Sequence, residues 1–234
     1  MLLLVASILV LFLLNLFLGS VHIPMDSIWN ILWGLDGDES VIWQNIIWKS
    51  RIPQSLTALV AGAGLAVSGL QMQTVFRNPL AGPSVLGISS GASLGVAFVV
   101  LLSGSIGGIA LSRLGFMGEI ALTVAAIVGA LSVMALIVYV SQKVHGNVTL
   151  LIIGVMIGYV ANAVIGVLKF FSVEEDIRAY VIWGLGSFAR VSGNQVTVFI
   201  CIMAVLLPLS FLLIKTLNLL LLGDAYARNL GLNI

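Results

Sequence analysis

Six unbroken apolar runs, at residues 2–18, 56–76, 85–102, 120–140, 148–171 and 196–214, decide what this chain can become. Each approaches the length needed to cross the roughly 30 Å hydrocarbon core of a bilayer as a helix. None alternates with the period of two that a barrel strand facing lipid on one side would show, and a helix in lipid satisfies its own backbone. The expected class is therefore all-α and polytopic, with six transmembrane helices. Charge agrees, since Asp, Glu, Lys and Arg make up 8% of the 234 residues, about a third of the roughly 25% typical of soluble domains. Too few polar groups remain to clothe a water-soluble globule.

The same scarcity excludes functions. A formal net charge of +1 supplies no basic field for nucleic acid. Cys201 has no second cysteine to pair with, and His22 and His145 are too few and too far apart for a metal site. No Gly-Lys-Ser or Gly-Lys-Thr occurs, so nothing cradles nucleotide phosphates, and no G-x-S-x-G or H-E-x-x-H marks an enzyme. The reading is a non-enzymatic chain without bound metal or cofactor. Lys and Arg divide almost evenly between alternate loops, so the positive-inside rule leaves orientation open.

Small residues recur at helical spacing. Gly87, Gly91 and Gly95 form one stripe, read as a packing face; Gly154, Gly158, Asn162 and Gly166 form another. Close helix packing is the plainer reading of both, because small residues let backbones approach where lipid supplies no hydrophobic drive. The second stripe also carries an amide that is costly in hydrocarbon, which makes Gly154, Gly158 and Asn162 candidates for lining an aqueous path. No carboxylate lies within a span, which counts against a proton- or sodium-coupled carrier. Trp29, Trp33, Trp43 and Trp48 crowd the long connection after the first run, a composition suited to headgroup depth. Pro79 and Pro83 in RNPLAGPSVLG force a tight turn between the second and third runs.

The stretch RIPQSLTALVAGAGLAVSGLQMQTVFRNPLAGPSVLGISSGAS, residues 51–93, resembles the signature of permease subunits of ABC importers for iron-siderophore complexes, haem and cobalamin. WGLGSF at 183–188 and LNLLLLGDAYARNLGLNI at 217–234 agree with it, so the similarity runs through essentially the whole chain. The resemblance implies a type II importer bundle of about ten helices, working as a homodimer or pseudo-dimer in the bacterial cytoplasmic (inner) membrane. It implies an extracytoplasmic substrate-binding protein on one side and cytoplasmic ATPase subunits, which hold the ATP and magnesium, on the other. The amino terminus would then be cytoplasmic. It also implies that residues 1–214 are the six-span bundle and that 215–234 begin a cytoplasmic coupling segment in which Gly223, Asp224, Arg228, Asn229, Leu230 and Gly231 meet the ATPase.

Two departures stand out. The family has about ten spans and this chain six, so it reads as cut short within the coupling segment. A second arginine, common in the family at the position of Gln54, is missing, which leaves Arg51 alone for docking the binding protein through a bidentate carboxylate pair; an interfacial arginine on lipid phosphate is the alternative. The leading expectation is passage of a large metal complex along a smooth path that binds nothing tightly. The competing one is a self-contained secondary carrier or channel. For the last segment, two short helices broken near Gly223 are expected, the second ended by Gly231.

Overall fold

A computed structural model describes residues 1–35, 41–106, 116–144, 146–188, 191 and 193–232, and among these every regular element is a helix. In chain order they are α1 (Leu2–Phe17), α2 (Met25–Trp33), α3 (Val41–Ile46), a π-helical turn (Ile47–Arg51), α4 (Ile52–Phe76), α5 (Ile88–Ile106), α6 (Phe116–Ser141), α7 (Asn147–Phe171), α8 (Glu174–Gly184), α9 (Gly193–Phe211), α10 (Ile214–Leu221) and α11 (Asp224–Asn229). Among the described residues four stretches are long and apolar enough to cross a bilayer: Val41–Phe76, Met117–Ser141, Val148–Phe171 and Gly193–Phe211. The runs at 2–18 and 85–102 are also helical, as the shorter apolar helices Leu2–Phe17 and Ile88–Leu102. The chain is an all-helical membrane protein.

The second helix departs from the expected start at residue 56. It begins at Val41 and continues for 36 residues to Phe76. Pro53 cannot donate to the carbonyl four residues back, and its ring crowds that carbonyl. The π-helical turn ending at Arg51 lies just before it and gives the wider winding that accommodates such a defect without ending the helix.

The chain forms two compact units. The first comprises Met1–Val67 and Ser187–Leu212. Its core gathers Ile23, Ile28, Ile31 and Ile47, with Phe17, Trp43 and Ile52 packed around them. Amphipathic α2 buries Ser27, Ile28 and Ile31 and leaves Met25, Trp29 and Trp33 exposed along one stripe. Met203 of α9 reaches the surface of Gly64 in α4.

The second unit comprises Ser68–Gly186 and Leu213–Ile234. Helix α5 is its centre, packed against α6, α7 and α8. Val96, Ala97, Val100 and Leu101 of α5 meet Ile165 of α7 and Tyr180 of α8 in one core. In a second core Ala81 and Leu86 of the proline turn meet Val133, Ile137 and Leu151. That turn is structured as expected: Arg77 adopts a left-handed conformation (φ 47°), and the Asn78 carboxamide oxygen accepts from the Leu80 amide at 2.9 Å.

Candidate translocation path and coupling surface

Gly87, just before α5, and Gly91 and Gly95 within it sit where backbones meet. A methyl group at Gly91 would lie 2.7 Å from the Gly129 carbonyl oxygen of α6, and one at Gly95 would collide with the Ala125 carbonyl. Gly129 is equally closed, by Gly91. Gly87 (φ 72°) instead faces α7, where an added methyl would lie 2.7 Å from the Gly154 carbonyl oxygen. Thus Gly91 and Gly95 pack α5 on α6, and Gly87 packs it on α7.

The stripe on α7 does not line a path as a whole. An added methyl at Gly154 would fall 2.7 Å from the Leu86 Cα, and one at Gly158 3.2 Å from the Ser90 hydroxyl. Both are buried contact residues, whereas Asn162 and Gly166 are exposed. Steps of four residues advance about 40° around a helix. A four-residue series therefore starts on the α5 interface and ends facing away from it. The packed face follows alternating spacings of three and four through Leu151, Gly154, Gly158, Ala161 and Ile165. Of the three candidates, Asn162 alone presents a polar side chain to an open face, flanked by exposed Tyr159 and Gly166.

Helix α8 turns back along α5. At its start the Ser172 hydroxyl donates to the Leu101 carbonyl at 3.0 Å; two turns on, the Tyr180 hydroxyl is hydrogen-bonded to Ser93. From Leu101 to Ser93 is about 12 Å along α5, so α8 descends that far beside the spans. Glu174 and Glu175 occupy its first turn and are exposed, where they favour the positive end of the helix dipole. Lys169, near the end of α7, holds its ammonium 4.8 Å from the Tyr180 ring centroid, within cation–π reach.

Arg51, the residue the resemblance assigns to docking, lies inside the first unit. Its side chain is buried, with only 5% of its surface exposed. The guanidinium donates to the carbonyls of Leu16 (2.5 Å), Phe17 (3.3 Å) and Val21. These include the last carbonyls of α1, which no further turn can satisfy. Gly19 is needed beside it, because an added methyl there would come 2.7 Å from Nη2. Three backbone carbonyls thus engage both terminal nitrogens of the buried guanidinium.

The carboxyl-terminal segment forms two short helices as expected. Gly223 (φ 108°) separates α10 from α11, and Gly231 (φ 88°) follows the second. The Leu232 amide donates to the Ala227 carbonyl at 2.9 Å and that of Gly231 to Arg228 at 2.9 Å, closing the helix end. Ala227 is buried, whereas Tyr226, Arg228, Asn229 and Leu230 are exposed; the Asp224 side chain lies outside the described residues. A break at Leu212 and Leu213 also divides α9 from α10. Sequence reasoning missed Arg77, whose Nη2 donates to the Leu220 carbonyl at 3.0 Å and ties the proline turn to the end of α10. Among the described residues no group of three His, Cys, Asp or Glu is placed to hold a metal ion.

Residues 7–234 match the FecCD transport family. The chain belongs to that family. It is 35% identical over 230 residues to the hemin transport system permease protein HmuU of Yersinia pestis, covering 97% of this chain and 66% of that protein. It is 36% identical over 189 residues to the vitamin B12 import system permease protein BtuC of Klebsiella pneumoniae, covering 81% of this chain and 54% of that one. Its fold is similar to that of a metal-chelate type ABC transporter in an inward-facing conformation, with a TM-score of 0.76, 26% identity and coverage of 97% of this chain and 65% of that one. The chain thus spans between about half and two thirds of the length of these FecCD relatives.

Proposed function

We propose that this FecCD-family chain is the transmembrane part of an ATP-driven importer of the type II class, carrying an iron-siderophore complex, haem or cobalamin across the cytoplasmic membrane. The observation that carries the reading is the family match along 7–234, with relatives named for hemin and vitamin B12 transport. The bundle supplies a route and no chemistry. ATP would be hydrolysed on separate cytoplasmic subunits seated on the exposed Tyr226, Arg228, Asn229 and Leu230 of α11. An extracytoplasmic binding protein would deliver substrate to the opposite end, where α8 begins, and a second permease copy would complete the path. The amino terminus is then cytoplasmic.

Arg51 has no part in docking on this reading; the exposed Glu174 and Glu175 offer acidic groups at the receiving end instead. Asn162 remains the pathway candidate on α7. The test reconstitutes the full-length protein in liposomes with its ATPase and supplies haem, cobalamin or a ferric siderophore with the cognate binding protein. Uptake that requires both ATP and the binding protein is expected. Flux of a small solute without an ATPase would instead establish the secondary carrier.

A further inference from the structure

Lys169 is half-buried in the last turn of α7. It lies two turns after Asn162 and one turn after buried Ile165, on the border between the open face of that helix and its packed face. A lysine near the end of a span ordinarily extends its stem outward to the headgroups. This one turns the other way. Its ammonium stands 4.8 Å from the centroid of the Tyr180 ring, and the hydroxyl of that ring is hydrogen-bonded to Ser93 of α5.

The register of α5 and α7 gives the direction. The two helices run parallel, with Gly158 against Ser90 and Ser172 bonded to Leu101. Ser93, three residues after Ser90, is therefore about level with Ala161, beside Asn162. A ring tied at that level draws the ammonium back from the end of α7 toward Asn162. Tyr180 is thus a positioning residue for Lys169.

No carboxylate neutralises the charge held there. Among the described residues Lys169 forms no ion pair, although Asp176 stands one turn before Tyr180 and Glu174 and Glu175 begin the same helix. The helix-end dipole favours a cation at this place whichever way it points, so it does not account for the inward turn. The ring covers one side of the ammonium and leaves N–H donors for a ligand. In surroundings of low dielectric an ammonium without an acid attracts an anion strongly.

We infer that Lys169 takes a carboxylate of the cargo as it passes Asn162. The complexes carried are then those with free carboxylates, such as haem and carboxylate siderophores, and not cobalamin, whose peripheral acids are amides. One lysine shared with a ring makes a contact weak enough to release what it admits. The inference rests on the proposed import function and narrows its substrate class.

The full-length transporter, with its ATPase and binding protein in phosphatidylcholine liposomes, is tested for ATP-dependent uptake of cobalamin, of haem and a ferric carboxylate siderophore, and of the methyl esters of the last two. The free acid should be preferred to its ester. Lys169→Gln should lower uptake of the acid about tenfold and leave the ester unchanged, with the preference restored in Lys169→Arg. Tyr180→Leu, which frees the ammonium to extend outward, should lose the same preference; gel filtration checks that each variant is assembled. An equal loss for acid and ester overturns the inference, because it assigns Lys169 to an acid of the protein itself or, where the loss is confined to liposomes containing phosphatidylglycerol, to a lipid headgroup. Uptake of cobalamin in preference to the carboxylates overturns it as well. A wild type that takes up none of these complexes fails the import reading itself, and the inference with it.

Discussion

The Nη1 of Arg51 donates to the carbonyl oxygen of Leu16 across 2.5 Å, joining residues 35 apart in sequence at the end of α1. Helix α1 has no other specific device at that end: it has no basic residue in its last turn, and Leu18 leaves in an extended conformation. Replacing Arg51 with Met removes the donor and strands buried carbonyls at about 1–3 kcal/mol each. Arg51→Met should therefore lower the thermal stability of the full-length protein in detergent, with capture of the loaded binding protein unchanged per folded molecule. Lost capture at normal stability would return Arg51 to a docking role.

Glycine positions separate into closed and open ones, and substitution distinguishes them. Gly91→Leu and Gly129→Leu must force α5 from α6, since even a methyl meets a carbonyl there; overpacking of this kind costs about 1–3 kcal/mol or more. Nothing lies within 4 Å of a methyl added at Gly166. Expression and gel filtration should show the first two failing to assemble and Gly166→Leu assembling normally. Equal behaviour of all three would mean that the α5–α6 contact does not limit folding.

The helices were legible where one rule acts alone. Apolar runs place α6, α7 and α9 to within a few residues, because lipid leaves a backbone few alternatives to helix. The start of the second span was not legible: Pro53 reads locally as a boundary, and only the π-helical turn before it keeps the helix continuous to Val41. Arg51 illustrates the same limit for the site. Its carbonyl partners lie 30 to 35 residues back, and no spacing rule connects them. Four-residue glycine spacing coincides with the α5–α6 contact at Gly91 and Gly95 but overruns the contact face of α7, where helical drift carries Asn162 away from Gly154. The return of α8 beside α5 was hidden for another reason: its 11 residues, starting with Glu174, Glu175 and Asp176, are too short and too charged at the start to stand out as an apolar run.

Orientation gives a direct test of the proposed arrangement. In a Cys201→Ser background, which removes the native exposed thiol, single cysteines at Glu175, Lys143 and Asn229 all occupy exposed positions. A membrane-impermeant maleimide applied to intact cells should label Glu175→Cys only. Labelling of Lys143→Cys and Asn229→Cys instead would invert the topology and place the α10–α11 segment on the wrong side for an ATPase.

Coupling between an ATPase and the spans needs a contact surface and something stiff behind it. On the proposed function the exposed side chains of α11 would supply the surface, with Leu230 60% exposed beside fully buried Ala227. The stiffness comes from Arg77, in a left-handed conformation at the end of α4, which donates to Leu220 at the end of α10. On the proposed function, a push on α11 would pass through α10 to the proline turn, and so to the start of α5, as a rigid-body movement. Leu230→Asp should then reduce ATPase binding in the full-length transporter. Arg77→Gln, which keeps α11 intact but loses the charged donor, should leave ATPase binding in place and lower substrate uptake per ATP hydrolysed. Pull-down of the ATPase and paired uptake and hydrolysis assays distinguish the two effects. Wild-type uptake in both variants would remove the coupling role from α11 and its brace together.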